Sequence, residues 1–136
     1  MGLDQYAYKV KKGYISEPVD FSFNKYDKLT GKTTDIIPES EYEQIAYWRK
    51  HYDLQAWMHI LYNQKGGKSQ EFNCDKLLLS EEDLNNLEEL VIRNDLPLSS
   101  DVFQRENYLK ETTLKFIADA RDAIKEDFQI VYDSWW

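Results

Sequence analysis

Apolar and polar residues alternate in two stretches near the start of the chain. Residues 5–10, QYAYKV, alternate weakly and contain two tyrosines and a valine. Val19, Phe21 and Phe23 then alternate with polar neighbours. An alternation of period two is typical of a strand that buries one face. We therefore expect one strand over residues 5–10 and another over residues 19–23.

A helical pattern begins further along the chain. Ser40 stands three positions before Glu43, which is the spacing of a capping box at a helix start. Side chains at the four-three spacing of one helix face come next, and they are Tyr47, His51, Leu54, Met58 and Leu61. Gly66 and Gly67 end the pattern. The sequence thus predicts a first helix over residues 41–63, with this stripe facing the core.

A second helix is predicted after a short strand. Residues 71–79 have the composition of a strand, and Ser80 with Asp83 forms a variant capping pair directly after it. Leucines at helical spacing supply an apolar face, and Asn94 and Pro97 close the helix.

The end of the chain predicts a third helix and a final strand. The apolar stripe of the helix runs from about Asn107 to Asp127. Residues 128–132 are rich in β-branched and aromatic side chains, which favour a strand. Earlier in the chain, the polar stretch 26–35 pivots on Gly31 and predicts a hairpin turn or an irregular loop.

These elements do not alternate as regular βαβ units. We therefore predict an α+β fold, in which a small, mostly antiparallel sheet of three or four strands packs against three helices. The sequence contains no repeat, low-complexity tract or linker, so residues 1–136 are predicted to form one domain with a loop or hairpin insertion at about 24–37. The first and last strands are expected to be neighbours, because both are aromatic-rich and the termini of a domain often lie close together.

Composition narrows the function classes. The hydrophobic content of 42% and the aromatic content of 15% are too high for a disordered chain. The net charge of −8, from 25 acidic and 17 basic residues, repels phosphate backbones, so we expect no direct binding to nucleic acid. An acidic surface can instead occupy a basic, nucleic-acid-binding face on another protein.

The sequence also indicates a compartment. Cys74 is the only cysteine, which leaves no intramolecular disulfide and favours a reducing environment. The opening residues MGLDQYAYKV lack the apolar segment of a signal peptide. No apolar run is long enough to span a bilayer. We expect a cytoplasmic protein without a membrane partner.

Three patterns suggest chemistry, and each has a simpler structural interpretation. KGGKSQ, residues 65–70, contains the tail of a phosphate-binding loop, but it follows a helix instead of joining a strand to a helix. His51 and His59 are eight positions apart, which turns them about 80° away from each other around a helix. A Cys74–His51 pair would need proximity for nucleophilic catalysis, whereas each residue alone is more often a core residue. We expect no catalytic residue, no metal site and no cofactor.

A run of acidic residues marks the second predicted helix, and it consists of Glu81, Glu82, Asp83, Glu88 and Glu89. Such a run is usually a solvated helix face. The alternative is an acidic patch that meets a basic partner. The spacing of the acids is compatible with both interpretations.

The densest aromatic and basic segment is YWRKHYDLQAWM, residues 47–58. The helical spacing places Trp48 and Arg49 beside the apolar stripe and Lys50 further round. Tryptophan, arginine and tyrosine are the residues most enriched at binding hot spots. The candidate binding residues are Asp4, Trp48, Arg49, Lys50, Trp135 and Trp136. The competing interpretation is that Trp48 packs under the sheet edge or against the terminal tryptophans.

Three segments of the chain resemble a family of small phage and prophage proteins. These segments are MGLD at the start, YWRK at residues 47–50 and YDSWW at residues 132–136. Members often carry the label phosphoglycerate kinase, but that enzyme is a far larger two-domain protein, so this activity is not expected here. The stretch from Asp27 to Asp35 departs from the family pattern. The resemblance implies a phage accessory protein made inside an infected bacterium, and it implies no established activity.

Three hypotheses of function follow. The first is a non-enzymatic accessory protein that binds a host or defence macromolecule, for example as an acidic inhibitor of the anti-CRISPR or anti-restriction kind. The second is a protein or enzyme that binds phosphate or a nucleotide around Trp48, Arg49 and Lys50. The third is a homo-oligomeric structural protein, with a homodimer as its simplest form.

Overall fold

A four-stranded antiparallel sheet forms the centre of the fold. The computed structural model describes residues 2–27, 29–97 and 107–136. The strands are β1 (Asp4–Lys11), β2 (Asn24–Asp27), β3 (Lys32–Asp35), β4 (Tyr42–Arg49), β5 (Leu77–Leu79) and β6 (Phe128–Trp135). The helices are α1 (Tyr52–Gln64), α2 (Glu81–Ile92) and α3 (Asn107–Lys125), and a short 3₁₀ turn covers Glu39–Glu41. The sheet order is β4-β1-β6-β5, with β2 and β3 as a separate hairpin, so the predicted α+β class is confirmed.

The first and last strands are neighbours at the centre of this sheet. β1 and β6 pair antiparallel from Asp4 opposite Trp135 to Lys11 opposite Phe128. β4 pairs with the other edge of β1, and β5 pairs with the other edge of β6. The expected contact between the first and last strands is therefore confirmed.

The helices cover one face of the sheet. One apolar cluster joins all three helices to this face, and its members include Ala7, Trp48, Leu54, Met58, Leu77, Leu84, Leu87, Phe116, Ile117, Ile130 and Tyr132. A smaller cluster lies on the opposite face and contains Val10, Ile15, Phe23, Ile37 and Val131. The segment between β1 and β4 therefore covers only one end of that opposite face.

The predicted first helix is wrong in nearly its whole first half. Tyr42–Arg49 forms strand β4, and the helix begins only at Tyr52. Ser40 does not cap a helix, since its hydroxyl reaches only the Glu41 carboxylate at 3.5 Å. A left-handed residue, Lys50 with φ of 58°, ends the strand. His51 then caps α1 by accepting a hydrogen bond at Nδ1 from the Leu54 amide.

Pairing with β1 explains why Tyr42–Arg49 forms a strand and not the predicted helix. Tyr42, Ile45, Tyr47 and Trp48 are aromatic or β-branched, and such side chains fit the pleated surface of a sheet. β4 pairs with β1 along its length, and Ile45 is an extra residue that forms a bulge opposite the Ala7–Tyr8 step. The bulge interrupts the alternation of period two, which hides the strand pattern in the sequence.

Two other strand predictions are wrong or too long. Residues 19–23 form no strand, although Val19 bridges to Leu77, because Asp20 takes a φ of 55°. Of residues 71–79, only Leu77–Leu79 is a strand. Phe72 and Cys74 have φ of 50° and 63°, which is incompatible with extended backbone.

The remaining element predictions are confirmed. Ser80 and Asp83 form a reciprocal capping box at the start of α2. The third helix and the final strand occur where they are predicted, and the strand continues to Trp135. The polar stretch around Gly31 is the turn of the β2–β3 hairpin, and Gly31 takes a φ of 69° there.

Candidate functional site

The sheet face opposite to the helices is exposed at the end where β1 starts and β4 and β6 finish. Cross-strand partners in an antiparallel sheet share a face, and the register places two rows of partners here. The rows are Arg49, Asp4 and Trp135, followed by Tyr47, Tyr6 and Asp133. We call these six residues the open end of the sheet.

Three polar groups of the open end are joined through one carboxylate. Asp4 Oδ1 accepts a hydrogen bond from the Tyr47 hydroxyl at 2.5 Å and from Arg49 Nη1 at 3.1 Å. The hydrogen bond to Asp4 raises the pKa of Tyr47, so its hydroxyl stays protonated and keeps donating. The Arg49 side chain remains 58% exposed, and it can therefore contact another molecule while it is held in place by Asp4.

Aromatic rings form the exposed part of the open end. Trp135 is 61% exposed and Tyr47 is 44% exposed. Tyr6 packs against Tyr47 with a distance of 5.4 Å between ring centroids. Exposed tryptophan, tyrosine and arginine in one contiguous surface are the composition of a binding hot spot rather than of an ordinary solvated face.

A buried ion pair supports the open end from β6. Lys76 Nζ contacts Asp133 Oδ2 at 3.0 Å, and it also donates to the Cys74 carbonyl at 3.2 Å. Asp133 Oδ1 and the neighbouring Asp75 Oδ2 are buried without a hydrogen-bond partner in the described part of the chain. Burial raises the pKa of Asp133, and the Lys76 ammonium opposes that rise. This pair holds the Asp133 side chain of the open end in place.

A cavity of about 330 Å³ lies next to the open end, beside the start of α1. We call it the terminal pocket, and its lining residues are Gly2, Leu3, Tyr52, Gln55 and Trp136. Trp136 is held by Asn73, whose side chain bonds both its amide and its carbonyl, and its Nε1 donates to the Phe72 carbonyl. The pocket and the open end meet where Trp135 continues into Trp136.

The structure corrects the place of Trp48. This side chain is 1% exposed, its Nε1 donates to Thr113 Oγ1 at 3.0 Å, and its ring packs on Phe116. It is a core residue between the sheet and α3, so it cannot contact a partner. Tyr47, which the helical spacing places in the core, is exposed instead, because a strand turns successive side chains to opposite faces.

The other predicted binding residues are only partly brought together. Asp4, Arg49 and Trp135 form the first row of the open end. Trp136 is 40% exposed and lines the terminal pocket. Lys50 lies in the left-handed link between β4 and α1, where its amide donates to the Leu3 carbonyl.

Some acids of the predicted patch form contacts within the fold, and the others are exposed to solvent. Asp83 is buried, where it completes the cap of α2 and pairs with Lys65. Glu88 forms a two-point contact with Arg121 of α3, which lowers the pKa of Glu88. Glu81, Glu82 and Glu89 are exposed, so only part of the run can face a partner.

His51 and Cys74 are the residues that the sequence offers as candidates for catalysis or metal binding. His51 is buried, and desolvation lowers its pKa to about 4. Cys74 is exposed and not the core residue expected from the sequence, but partial desolvation raises the pKa of its thiol, which makes it a poorer nucleophile. Within residues 2–27, 29–97 and 107–136, no three acidic, histidine or cysteine side chains gather around a common metal position.

The KGGKSQ segment is a turn at the exit of α1. The Lys68 amide donates to Asp20 Oδ2 at 3.1 Å, and the Ser69 amide donates to the Tyr62 hydroxyl at 3.0 Å. A Cβ on Gly67 would stand 2.3 Å from the Tyr62 ring, so only glycine fits there. The amides that a phosphate would need are thus engaged within the chain, and the predicted helix-exit turn is confirmed.

Sequence reasoning missed the residues that a strand would have indicated. Tyr6, Tyr47 and Asp133 belong to the open end only because β4, β1 and β6 align them. The signal was present for Tyr47, since Tyr47 and Arg49 alternate with Trp48 as the residues of a strand do. The alignment with Asp133 is a long-range pairing that no local pattern contains.

Comparison with protein-family models, with curated proteins and with solved structures finds no match for this chain. In the described residues, none of the helices combines the length and the apolar character needed to cross a bilayer.

Proposed function

We propose that this protein is a non-enzymatic binding protein, and that its open end docks on another protein. The observation that carries the proposal is the contiguous exposure of Trp135, Tyr47 and Arg49 on a rigid sheet face. A side chain held by its neighbours loses little conformational entropy on binding, which favours its use as an anchor. Asp4 provides that restraint for Tyr47 and Arg49.

The partner we propose is a host or defence protein of an infected bacterium. The resemblance to phage proteins supports this context. His51 and Cys74 are the side chains best suited to catalysis, and their surroundings favour a binding role for the protein instead. His51 is buried as a helix cap, and the pKa of the Cys74 thiol is raised. In this proposal the protein acts in the cytoplasm as a phage accessory factor.

The test is a comparison of matched variants in affinity capture. The tagged protein is incubated with bacterial lysate, and captured proteins are quantified by mass spectrometry. We expect Trp135→Ala and Tyr47→Ala to lose a partner that the unaltered chain retains. The matched control is Ile92→Ala, because Ile92 is a 56% exposed apolar residue on α2, remote in the fold from β4 and β6. A partner retained equally by all variants, or no partner at any salt concentration, refutes the proposal.

A second candidate function has its own observation. A cavity of about 420 Å³ between β4 and α3 is lined by the carboxylates of Glu43, Asp119, Asp122 and Glu126, with Lys9 as its one basic lining residue. These acids favour an inhibitor that covers a basic, nucleic-acid-binding face of its partner. In that case Asp122→Asn with Glu126→Gln weakens capture while Trp135→Ala leaves it unchanged.

A further inference from the structure

We propose that the terminal pocket seats one aromatic side chain of the protein partner, and that Arg49 binds a carboxylate next to it. This inference rests on the proposed function and names the chemistry of the partner's contact segment. It therefore assigns to Gly2, Leu3, Tyr52, Gln55 and Trp136 a role that the open end alone does not explain.

The size and stiffness of the pocket favour a single bulky group. A volume of about 330 Å³ is at the small end of the range for ligand pockets. Three hydrogen bonds to Asn73 and the Phe72 carbonyl hold Trp136, which forms one wall. Leu3, directly before β1, is 2% exposed, and its carbonyl accepts a hydrogen bond from the Lys50 amide. The walls are thus formed before any partner arrives.

The polar atoms of the pocket select an apolar occupant. Gln55 is the only amide side chain among its lining residues. Its Nε2 donates to the Phe72 carbonyl at 3.2 Å and to Ser134 Oγ at 2.9 Å, and its Oε1 accepts from the Tyr132 hydroxyl at 2.5 Å. A polar group entering the pocket would lose its water without gaining this amide as a partner. An aromatic or aliphatic group has no such cost.

The charge beside the pocket selects an anion. The five lining residues carry no charged side chain. Arg49 stands directly beyond Gly2, because a Cβ placed on Gly2 would lie 3.6 Å from Arg49 Nη2. Asp4 engages Nη1 of the same guanidinium at 3.1 Å, and Nη2 is the nitrogen that lies beside Gly2. A carboxylate adjacent to the seated ring would complete a charge-assisted hydrogen bond there.

The position next to the open end favours a protein as the source of this ring. Trp136 lines the pocket and directly follows Trp135 of the open end, and Gly2 lies beside Arg49, so a partner that wraps around this end of the sheet reaches both. Interfaces concentrate their energy in such arrangements, where a central anchor fills a pocket and neighbouring contacts exclude water. A free aromatic acid would use the pocket alone.

The inference is tested with three small probes of equal ring size. They are indole-3-propionate, its neutral amide and the cationic tryptamine, each titrated into the ¹⁵N-labelled protein while the tryptophan indole N–H resonances are followed. We expect the carboxylate to bind in the millimolar range and to shift the Trp136 resonance. The amide should bind roughly fivefold more weakly, the effect of one exposed ion pair, and the cation more weakly still.

Variants separate the pocket from the charge. Arg49→Gln should abolish the difference between carboxylate and amide while both still bind. Tyr52→Ala should weaken all three probes, since it removes one wall of the pocket. Tyr14→Ala removes the same side chain at an exposed position outside the pocket lining and should change nothing.

Three results overturn the inference, and two others separate it from the proposed function. Saturable binding by none of the probes, or binding that Tyr52→Ala leaves unchanged, refutes the pocket. Equal affinity for the anionic and cationic probes refutes the role of Arg49. If the probes bind but Tyr52→Ala retains the captured protein partner, the pocket accepts a free aromatic acid and the partner uses the open end alone. If Trp135→Ala loses the partner and the probes do not bind, the proposed function stands without the pocket.

Discussion

Neighbouring residues in the YWRK segment have opposite roles. Trp48 is buried against Phe116 and Thr113, whereas Tyr47 and Arg49 are exposed on the other side of the same strand. Their residue types gave no hint of this division, because all three are typical of hot spots. The strand geometry alone decides which of them can reach a partner.

Removing the two tryptophans should therefore have different effects. We expect Trp48→Ala to lower the free energy of unfolding by about 3–5 kcal/mol, because it leaves a cavity and removes the hydrogen bond from Trp48 Nε1 to Thr113 Oγ1. Trp135→Ala should change it by less than about 1 kcal/mol, because this side chain is mostly exposed. Urea denaturation followed by circular dichroism measures both. Equal losses would contradict the assignment of Trp135 to the surface.

Stability should depend on pH through His51. Burial lowers its pKa from 6.5 to about 4 in the folded state. Between these values the unfolded chain binds a proton that the folded chain excludes, so stability is full above pH 6.5 and falls as the pH drops toward 4, by roughly 2–3 kcal/mol. His51→Asn keeps a capping side chain and should remove this part of the fall.

The unaltered protein and His51→Asn share every other titratable side chain, so the difference between them isolates His51. Asp133 titrates with the opposite sign, since its pKa is raised, and it is present in both proteins. Its contribution cancels when the two unfolding free energies are subtracted at each pH. Parallel pH profiles for the two proteins would show that His51 is not buried in its neutral form.

At the scale of elements, two similar sequence signals have different outcomes. Ser40 with Glu43 and Ser80 with Asp83 both have the spacing of a capping box. Only the second pair caps a helix. Residues after Ser80 have no strand neighbour to join, whereas residues after Ser40 pair with β1. A local signal predicts an element correctly where no long-range pairing competes with it.

The two serines form a matched pair for mutation. Ser80→Ala should lower the free energy of unfolding by about 1 kcal/mol, because the Asp83 amide loses its acceptor. Ser40→Ala should have no measurable effect, since Ser40 caps nothing. Thermal and urea unfolding of both variants check this. A comparable loss at Ser40 would favour a helix over residues 41–49 and contradict strand β4.

Sequence patterns predict an element correctly only where no tertiary contact overrides them. The apolar stripes of α2 and α3 have helical spacing, and β1 and β6 are rich in aromatic or β-branched residues. These four elements occur where they are predicted, although β6 continues three residues beyond the predicted end. The bulge at Ile45 breaks the pattern of β4, and the left-handed residues Phe72 and Cys74 break the extended stretch before β5. The residue types of Phe72 and Cys74 do not predict a left-handed backbone, because only tertiary contacts hold a phenylalanine or a cysteine at positive φ.

At the scale of the whole molecule, the sheet is covered unequally. Three helices cover one face, and the segment between β1 and β4 covers one end of the other. The uncovered end gathers residues from the start of the chain, its middle and its finish. Asp4, Arg49 and Trp135 were predicted as binding residues, and their alignment in one row depends on the strand register. We therefore propose that the binding surface lies at this end.

An alanine scan of the large exposed apolar residues tests that claim most directly. These residues are Tyr14, Leu29, Ile36, Tyr47, Ile60, Ile92, Trp135 and Trp136. The dissociation constant of the captured partner is measured for each variant after its folding is verified. We predict that Tyr47→Ala and Trp135→Ala weaken binding at least tenfold, which is a loss of about 1.4 kcal/mol in binding free energy. Leu29→Ala, Ile60→Ala and Ile92→Ala should leave the dissociation constant unchanged. Unchanged binding by Tyr47→Ala and Trp135→Ala, together with a loss at Ile60 or Ile92, would contradict it.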